Sequence, residues 1–171
     1  IVFNEGETGH PTPPQALQRA GGVLARTYLP GRMETLSERP WVIVDGAHTG
    51  ASATALATTI AELRAPRVHL LLSCSSGKDL DAVLTPLLAA ASTITVTRAD
   101  STYSLPADTL AAQVRAHGDS LTVDAIEDVN AAIGHACADH PGRTLVLATG
   151  SVYLAGAVRA AFMRHGQGSC R

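Results

Sequence analysis

The sequence has few aromatic residues, little net charge and no long apolar run, and each shortage excludes a class of protein. Only 4% of the 171 residues are aromatic although 46% are hydrophobic, so the core must consist mainly of Ala, Val, Leu and Ile side chains. The formal net charge of −2 gives no basic patch for nucleic acid. No apolar run of roughly 18 residues occurs, so we expect no membrane-spanning helix and no membrane partner.

Several sequence motifs are also missing. The chain contains no P-loop (GxxxxGKS/T), and no GxGxxG follows its first apolar run, so it has no phosphate cradle of its own. A GxSxG elbow is absent too, which leaves hydrolase chemistry unsupported. The histidines lack the spacing of metal ligands, so we predict no metal site within the chain. The cysteines, Cys74, Cys137 and Cys170, lack metal-like or redox-like spacing, and reduced thiols in a cytoplasmic protein are the simplest interpretation.

Apolar, partly β-branched runs alternate with Ala- and Leu-rich stretches of helical period along most of the chain. This alternation predicts βαβ units, and hence a mostly parallel sheet with helices on both faces. The predicted strands are Trp41–Val44, Val68–Leu72, Thr93–Thr97, Leu121–Val123 and Thr144–Ala148, with Arg32–Ser37 as an antiparallel edge strand. The predicted helices are Ala51–Leu63, Leu80–Ala91, Ala107–His117, Val129–Ala138 and Val152–Arg164. The fold class is therefore α/β, a Rossmann-like domain of about six strands.

The stretch "WVIVDGAHTG" places an acid and an imidazole where a strand ends and a helix begins. Ligands of open α/β sheets bind beyond the carboxyl ends of the strands, where an acid can accept hydrogen bonds from a ribose diol. Asp45 is the candidate for that role. His48, close to a helix N-terminus, is expected to favour its neutral form and to contact a phosphate or carboxylate. From these residues alone, an alternative has equal support: Asp45 caps the helix and His48 is a surface residue.

Three further segments offer candidate ligand contacts. Arg32 follows a Pro-Gly turn and could clamp a phosphate, although an arginine in a turn is more often a solvated charge. The loop "SCSSGKDLD" could bind an anion at a helix N-terminus, or be a flexible loop capped by Asp79. Ser151 follows the last strand, where a simple helix cap is the favoured alternative. The candidates in the "SCSSGKDLD" loop are Ser73, Ser75, Ser76 and Lys78. By contrast His69, inside an apolar strand, is expected to fill the core or a sheet edge.

Taken in order, "YLPGRME", "PWVIVDGAHTG", "GKDLDAVL" and "LATGSVYLAGAVR" resemble the C-terminal domain of folylpolyglutamate synthase/dihydrofolate synthase, in the Mur ligase superfamily. Those enzymes use ATP to phosphorylate a carboxylate of a folate-type substrate, and the amine of L-glutamate then attacks the acyl phosphate. The resemblance implies that ATP and Mg are bound mainly by an N-terminal P-loop domain, which is absent from this chain. Residues 29–171 would then be the ligase domain and residues 1–28 a linker. Since the sequence begins with Ile1, we expect a piece of a longer polypeptide, inactive when isolated.

The resemblance also implies roles for individual residues. Arg32 would reach the ATP phosphates, Asp45 would hydrogen-bond the ribose, and His48 would be the catalytic residue near the reacting groups. The glutamate side would be formed by Ser73, Ser75, Ser76, Lys78 and Ser151.

One departure from the family pattern keeps alternatives open. The family motif continues "DGAHNP", whereas Thr49 and Gly50 follow His48 here. A divergent amide ligase that joins another acid and amine is therefore an alternative. A non-catalytic nucleotide-binding module is a second.

Overall fold

A computed structural model describes residues 29–118, 121–138 and 144–164, so the predicted linker at residues 1–28 lies outside the described residues. Within these ranges the chain forms one sheet and five helices. The strands are β1 (Glu34–Glu38), β2 (Trp41–Val44), β3 (Arg67–Leu72), β4 (Thr93–Val96), β5 (Thr122–Ala125) and β6 (Thr144–Thr149). The helices are α1 (Gly50–Glu62), α2 (Leu80–Ala90), α3 (Ala107–Ala116), α4 (Val129–Ala138) and α5 (Val152–Arg164).

The sheet has the strand order β1-β2-β6-β3-β4-β5. The pair β1–β2 is antiparallel and every other pair is parallel, which confirms the predicted Rossmann-like α/β fold with its antiparallel edge hairpin. Because β2, β6 and β3 are parallel neighbours, the segments that follow them leave the same edge of the sheet. The order therefore places the turns after these three strands side by side.

The core lies on both faces of the sheet. Successive strand residues point to opposite faces, so Ile43 and Leu147 pack in one buried cluster with side chains of α1, α2 and α3. Their sequence neighbours Val44 and Val146 pack in a second cluster with α4 and α5. Full burial of each such aliphatic side chain stabilises the fold by about 1.5–3 kcal/mol. The prediction of helices on both faces is confirmed.

His69 lies in β3 and is only 2% exposed. Its Nδ1 is 2.9 Å from the Thr93 hydroxyl and its Nε2 is 3.0 Å from the Thr95 hydroxyl. Both ring nitrogens thus have hydrogen-bond partners on the neighbouring strand β4, as buried polar groups require. His69 is a core residue, as expected.

The edge strand begins later than predicted, at Glu34 instead of Arg32. Gly31 (φ 69°) and Met33 (φ 43°) adopt left-handed backbone conformations, which an extended strand cannot contain. Arg32 therefore lies in a turn. At the other end of the sheet, β5 runs to Ala125 because its pairing with β4 continues as far as Val96.

Candidate functional site

The Asp45 carboxylate is a bridge between the end of β2 and the turn that carries Arg32. It is 7% exposed, and its Oδ1 accepts a hydrogen bond from the Ala47 N–H at 2.8 Å. Its Oδ2 accepts from the Met33 N–H at 2.9 Å. Asp45 therefore sits at the carboxyl edge of the sheet, as predicted.

The alternative in which Asp45 caps the following helix is wrong. Thr49 is the N-cap of α1: its hydroxyl accepts from the Ser52 N–H at 3.3 Å, and the Ser52 hydroxyl accepts from the Thr49 N–H at 3.0 Å. This reciprocal capping box satisfies donors at the helix start. A Cβ on Gly50 would lie 2.8 Å from the Cβ of Ala82 in α2. Thr49 thus supplies the cap at the position of the family's Asn, and close packing against α2 accounts for Gly50 at the position of the family's Pro.

His48 is half-buried and its ring is anchored. Nδ1 lies 2.8 Å from the carbonyl oxygen of Gly46, and a carbonyl only accepts, so Nδ1 carries the hydrogen of this bond. When the ring is neutral, Nε2 is consequently the unprotonated acceptor. Nε2 has no hydrogen-bond partner within the described part of the chain. The structure thus presents a fixed imidazole with one nitrogen available to a ligand.

Arg32 is exposed, and its guanidinium has no hydrogen-bond or ion-pair partner among the described residues. The turn around it is nevertheless held firmly. The Gly31 N–H donates to Glu34 Oε2 at 2.7 Å, and the Gly31 carbonyl accepts from the Gly46 N–H at 2.8 Å. The turn is thus attached to the "DGAH" segment, which brings Arg32, Asp45 and His48 into one small region.

The loop after β3 has a buried part and an exposed part. Ser73 has no exposed surface; its hydroxyl accepts from the Ala99 N–H at 3.2 Å and donates to Ser104 Oγ at 3.4 Å. These bonds join the loop to the segment after β4, so the structure gives Ser73 a structural contact and no surface for a ligand. Ser75 is half-buried, whereas Ser76 and Lys78 are exposed.

The turn between β6 and α5 lies between the other two turns. The Gly150 N–H donates to the Ala47 carbonyl at 3.0 Å, and the Ser73 N–H donates to the Thr149 carbonyl at 3.3 Å. Ser151 is 2% exposed, and its hydroxyl accepts from the Tyr153 N–H at 3.1 Å. The helix-cap interpretation of Ser151 is confirmed, and its own O–H remains a potential donor.

Two features of this edge have no local signal in the sequence. Glu34 pairs with Arg159 of α5, 125 residues away, with Nε 3.0 Å from Oε1. The rings of Tyr103, between β4 and α3, and Tyr153, in the first turn of α5, are stacked with centroids 5.8 Å apart. Both residues are about half exposed. Only the tertiary fold brings either pair together.

The cysteines and the possible metal ligands are the remaining groups considered for chemistry among the described residues. Burial raises the pKa of the Cys74 thiol to about 12, so Cys74 is protonated near neutral pH. Cys74 is a free thiol, as predicted, while Cys170 lies outside the described residues. Over the ranges that the structure describes, no three His, Cys, Asp or Glu side chains are grouped as metal ligands. No helix there is long and apolar enough to cross a bilayer.

Comparison with known proteins identifies the family. Residues 31–152 match the family described as "Mur ligase, glutamate ligase domain", a match over most of the chain. The chain belongs to this family. The matched region contains Arg32, Asp45, His48 and the loop after β3, and it ends at the first residue of α5.

Individual relatives support the same family assignment. The chain is 34% identical over 163 residues to a dihydrofolate synthase/folylpolyglutamate synthase of Mycobacterium tuberculosis, and covers 33% of its length. It is similar to a solved M. tuberculosis folylpolyglutamate synthase complexed with ADP and AMPPCP (TM-score 0.69, 33% identity, 81% of this chain and 33% of that one). It is also similar to a solved bifunctional folylpolyglutamate synthase/dihydrofolate synthase with Mn, AMPPNP and L-glutamate bound (TM-score 0.70, 25% identity, 81% and 32%). The chain thus spans about one third of these relatives.

Proposed function

We propose that residues 29–171 are the C-terminal domain of an ATP-dependent ligase of the folylpolyglutamate synthase/dihydrofolate synthase type, with residues 1–28 as its linker. The ligase adds L-glutamate to a carboxylate of a folate-type substrate. The observation that carries the proposal is the grouping at one sheet edge of a cation, a carboxylate and an imidazole: Arg32 is exposed and unpaired within the described residues, Asp45 is tied to its turn, and His48 presents Nε2.

The ATP side of the site would be formed by Arg32 and Asp45. A guanidinium forms paired hydrogen bonds with phosphate oxygens, and the exposure of Arg32 leaves it accessible to a nucleotide held by an N-terminal P-loop domain. Each Asp45 oxygen accepts one backbone N–H and has a further lone pair for a ribose hydroxyl, so the residue fits a ribose contact. By the family resemblance, Mg would be held mainly by the N-terminal domain.

His48 would act on the incoming glutamate. ATP supplies the phosphoryl group that turns the acceptor carboxylate into an acyl phosphate. The glutamate nitrogen must lose a proton to attack the acyl carbon; a C–N bond then forms, the C–O bond to phosphate breaks, and phosphate leaves. The unprotonated Nε2, held in place by the Nδ1 bond to Gly46, is a suitable acceptor for that proton.

The carboxylates of glutamate would contact the loop after β3 and the start of α5. Lys78 supplies a mobile positive charge, and the hydroxyls of Ser75 and Ser76 supply donors. The Ser151 O–H is the remaining candidate donor after its oxygen has capped the helix. Ser73 would contribute through the shape of the loop, because its hydroxyl is buried against Ser104.

The test uses the full-length polypeptide that carries this chain, supplied with ATP, Mg, a pteroate or tetrahydrofolate, and L-glutamate. ADP release should depend on glutamate and fall at least about tenfold in Arg32→Ala and Asp45→Ala, the loss expected from a transition-state contact of about 1.4 kcal/mol. Arg67→Ala is the matched control, since Arg67 is exposed at the opposite end of β3.

The outcomes separate the proposal from its alternatives. A folded enzyme that releases ADP only with another acid or amine would indicate a divergent amide ligase. ADP binding without turnover on any acid and amine would indicate a nucleotide-binding module. Equal losses in Arg67→Ala and Arg32→Ala would contradict the role of Arg32.

A further inference from the structure

We propose that the Glu34–Arg159 ion pair is a positioning device for Arg32, and that Glu34 and Arg159 are positioning residues of the site. The inference that the pair orders the turn around Arg32 rests on the structure alone. Its consequence for ATP use rests on the proposed function.

The first step is the burial and geometry of the pair. The Glu34 side chain is 4% exposed and that of Arg159 is 30% exposed. Arg159 Nε donates to Glu34 Oε1 at 3.0 Å, while the other oxygen of the same carboxylate, Oε2, accepts from the Gly31 N–H at 2.7 Å. One carboxylate thus connects helix α5 to the residue that precedes Arg32.

The second step is the fixation of Arg32 on its other side. The residue that follows it, Met33, donates its N–H to the Asp45 carboxylate at 2.9 Å. Both neighbours of Arg32 are therefore held by buried carboxylates from different places in the chain. Both neighbours also have a left-handed backbone conformation, with φ of 69° at Gly31 and 43° at Met33. For Met33 this conformation is unfavourable, so the turn depends on its hydrogen bonds to persist.

The third step concerns what an amide would do at position 34. A carboxylate offers an acceptor at each oxygen, whereas a Gln side chain has one acceptor and one donor group. In Glu34→Gln either the bond from Arg159 or the bond from Gly31 must be lost. The substitution keeps size and shape, so it removes the link between α5 and the turn with little change in packing.

The chain supplies a matched control of the same construction. Glu127 accepts from Arg98 through Oε1 at 3.4 Å and from the Ala107 N–H through Oε2 at 2.7 Å. Like Glu34 it joins an arginine to a backbone N–H, although its side chain is 56% exposed whereas that of Glu34 is 4% exposed. It holds the first residue of α3 and not the Arg32 turn, so Glu127→Gln should leave Arg32 unaffected.

The decisive measurement is backbone ¹⁵N relaxation on the chain itself, without any ligand. In the wild type the Arg32 amide should have an order parameter of about 0.85, and in Glu34→Gln it should fall below about 0.6. Glu127→Gln should keep the wild-type value. An unchanged Arg32 order parameter in folded Glu34→Gln would overturn the inference, whatever the enzyme does.

A second variant protects the test against misfolding. Arg159→Lys retains the charge but lacks the Nε donor and planar geometry of arginine, so it should loosen the turn less than Arg159→Gln does. Equal order at Arg32 in wild type, Arg159→Lys and Arg159→Gln would also overturn the inference.

The kinetic arm is a double-mutant cycle in the full-length enzyme. If Glu34 acts through Arg32, then Glu34→Gln should raise the KM for ATP several-fold in the wild type and have almost no effect when Arg32 is already alanine. Additive losses would overturn this part and leave a general stabilising role. A wild-type enzyme without glutamate-dependent ADP release would refute the proposed function, while the relaxation data would still decide the ordering of the turn.

Discussion

Gly150 is the position at which one added methyl group should disturb the site most. It has a φ of 90° and lies in the turn between β6 and α5. A Cβ there would be 2.5 Å from the Ser73 carbonyl oxygen and 2.7 Å from Leu72 Cδ1. The left-handed conformation costs an alanine about 1–2 kcal/mol, and overpacking against a fixed backbone atom costs about 1–3 kcal/mol. Together, Gly150→Ala should lower the free energy of unfolding by about 2–5 kcal/mol.

Gly156 provides the control six positions later. It is exposed inside α5, and a Cβ there would meet no atom within 4 Å. Gly156→Ala should therefore raise the free energy of unfolding by up to about 1 kcal/mol, since alanine has the higher helix propensity.

The assay is urea denaturation of the chain followed by circular dichroism, with the slope m compared between variants to verify that only stability changed. The expected result is a pair of shifts of opposite sign. A Gly150→Ala variant within about 1 kcal/mol of the wild type would refute the close approach of the β6–α5 turn to the end of β3. Destabilisation by Gly156→Ala would refute the helical environment assigned to Gly156.

Two further predictions concern stability. Burial raises the pKa of the Cys74 thiol from 9.0 to about 12 in the folded chain. The protonated thiol therefore contributes fully to the free energy of unfolding below about pH 9, and this contribution is lost as the pH rises towards 12. At pH 10 the free energy of unfolding should be lower by about 1.4 kcal/mol. Urea titrations at pH 7 and pH 10 should show that loss in the wild type and not in Cys74→Ala, and an equal alkaline loss in both would contradict it. Thr49→Ala should lower the free energy of unfolding by about 1 kcal/mol through loss of the α1 cap, measured by the same assay. Thr58→Ala, in the middle of the helix and exposed, should change the free energy of unfolding little. Equal effects of the two substitutions would refute the capping box.

The architecture could be predicted from the sequence because the apolar runs of the strands and the helical spacing of the Ala- and Leu-rich stretches are clearly different patterns. Each helix lies within one residue of its predicted bounds, since caps such as Asp79 and Asp128 mark where helices begin: they accept from the N–H groups of Ala82 and Ala131. The parallel sheet then follows from the alternation of strands and helices. The carboxyl-edge location of "DGAH" follows from the same alternation.

The details that differ depend on tertiary contacts. The predicted start of β1 at Arg32 was wrong because the residues on both sides of Arg32 have left-handed backbone conformations. A methionine in that conformation, such as Met33, leaves no signal in the sequence. The alternative in which Asp45 caps α1 stood open because aspartate is a good capping residue. Only the structure, in which Thr49 caps the helix and Asp45 accepts from the Met33 N–H, excludes it. Ser73 was predicted to contact a ligand because the sequence does not show that the residue is fully buried. The Glu34–Arg159 pair spans 125 residues and lies beyond any local pattern.

The most direct test of the central proposal is to follow the oxygen atoms of the acceptor carboxylate. The full-length enzyme would be given a folate-type substrate labelled with ¹⁸O in that carboxylate, together with ATP, Mg and L-glutamate, and the products analysed by mass spectrometry. Ligation through an acyl phosphate predicts a folate heavier by one glutamyl residue, with one ¹⁸O retained in the new amide and one transferred to inorganic phosphate. Absence of the glutamyl product in a folded, ATP-binding enzyme, or its formation without label in phosphate, would contradict the proposed reaction.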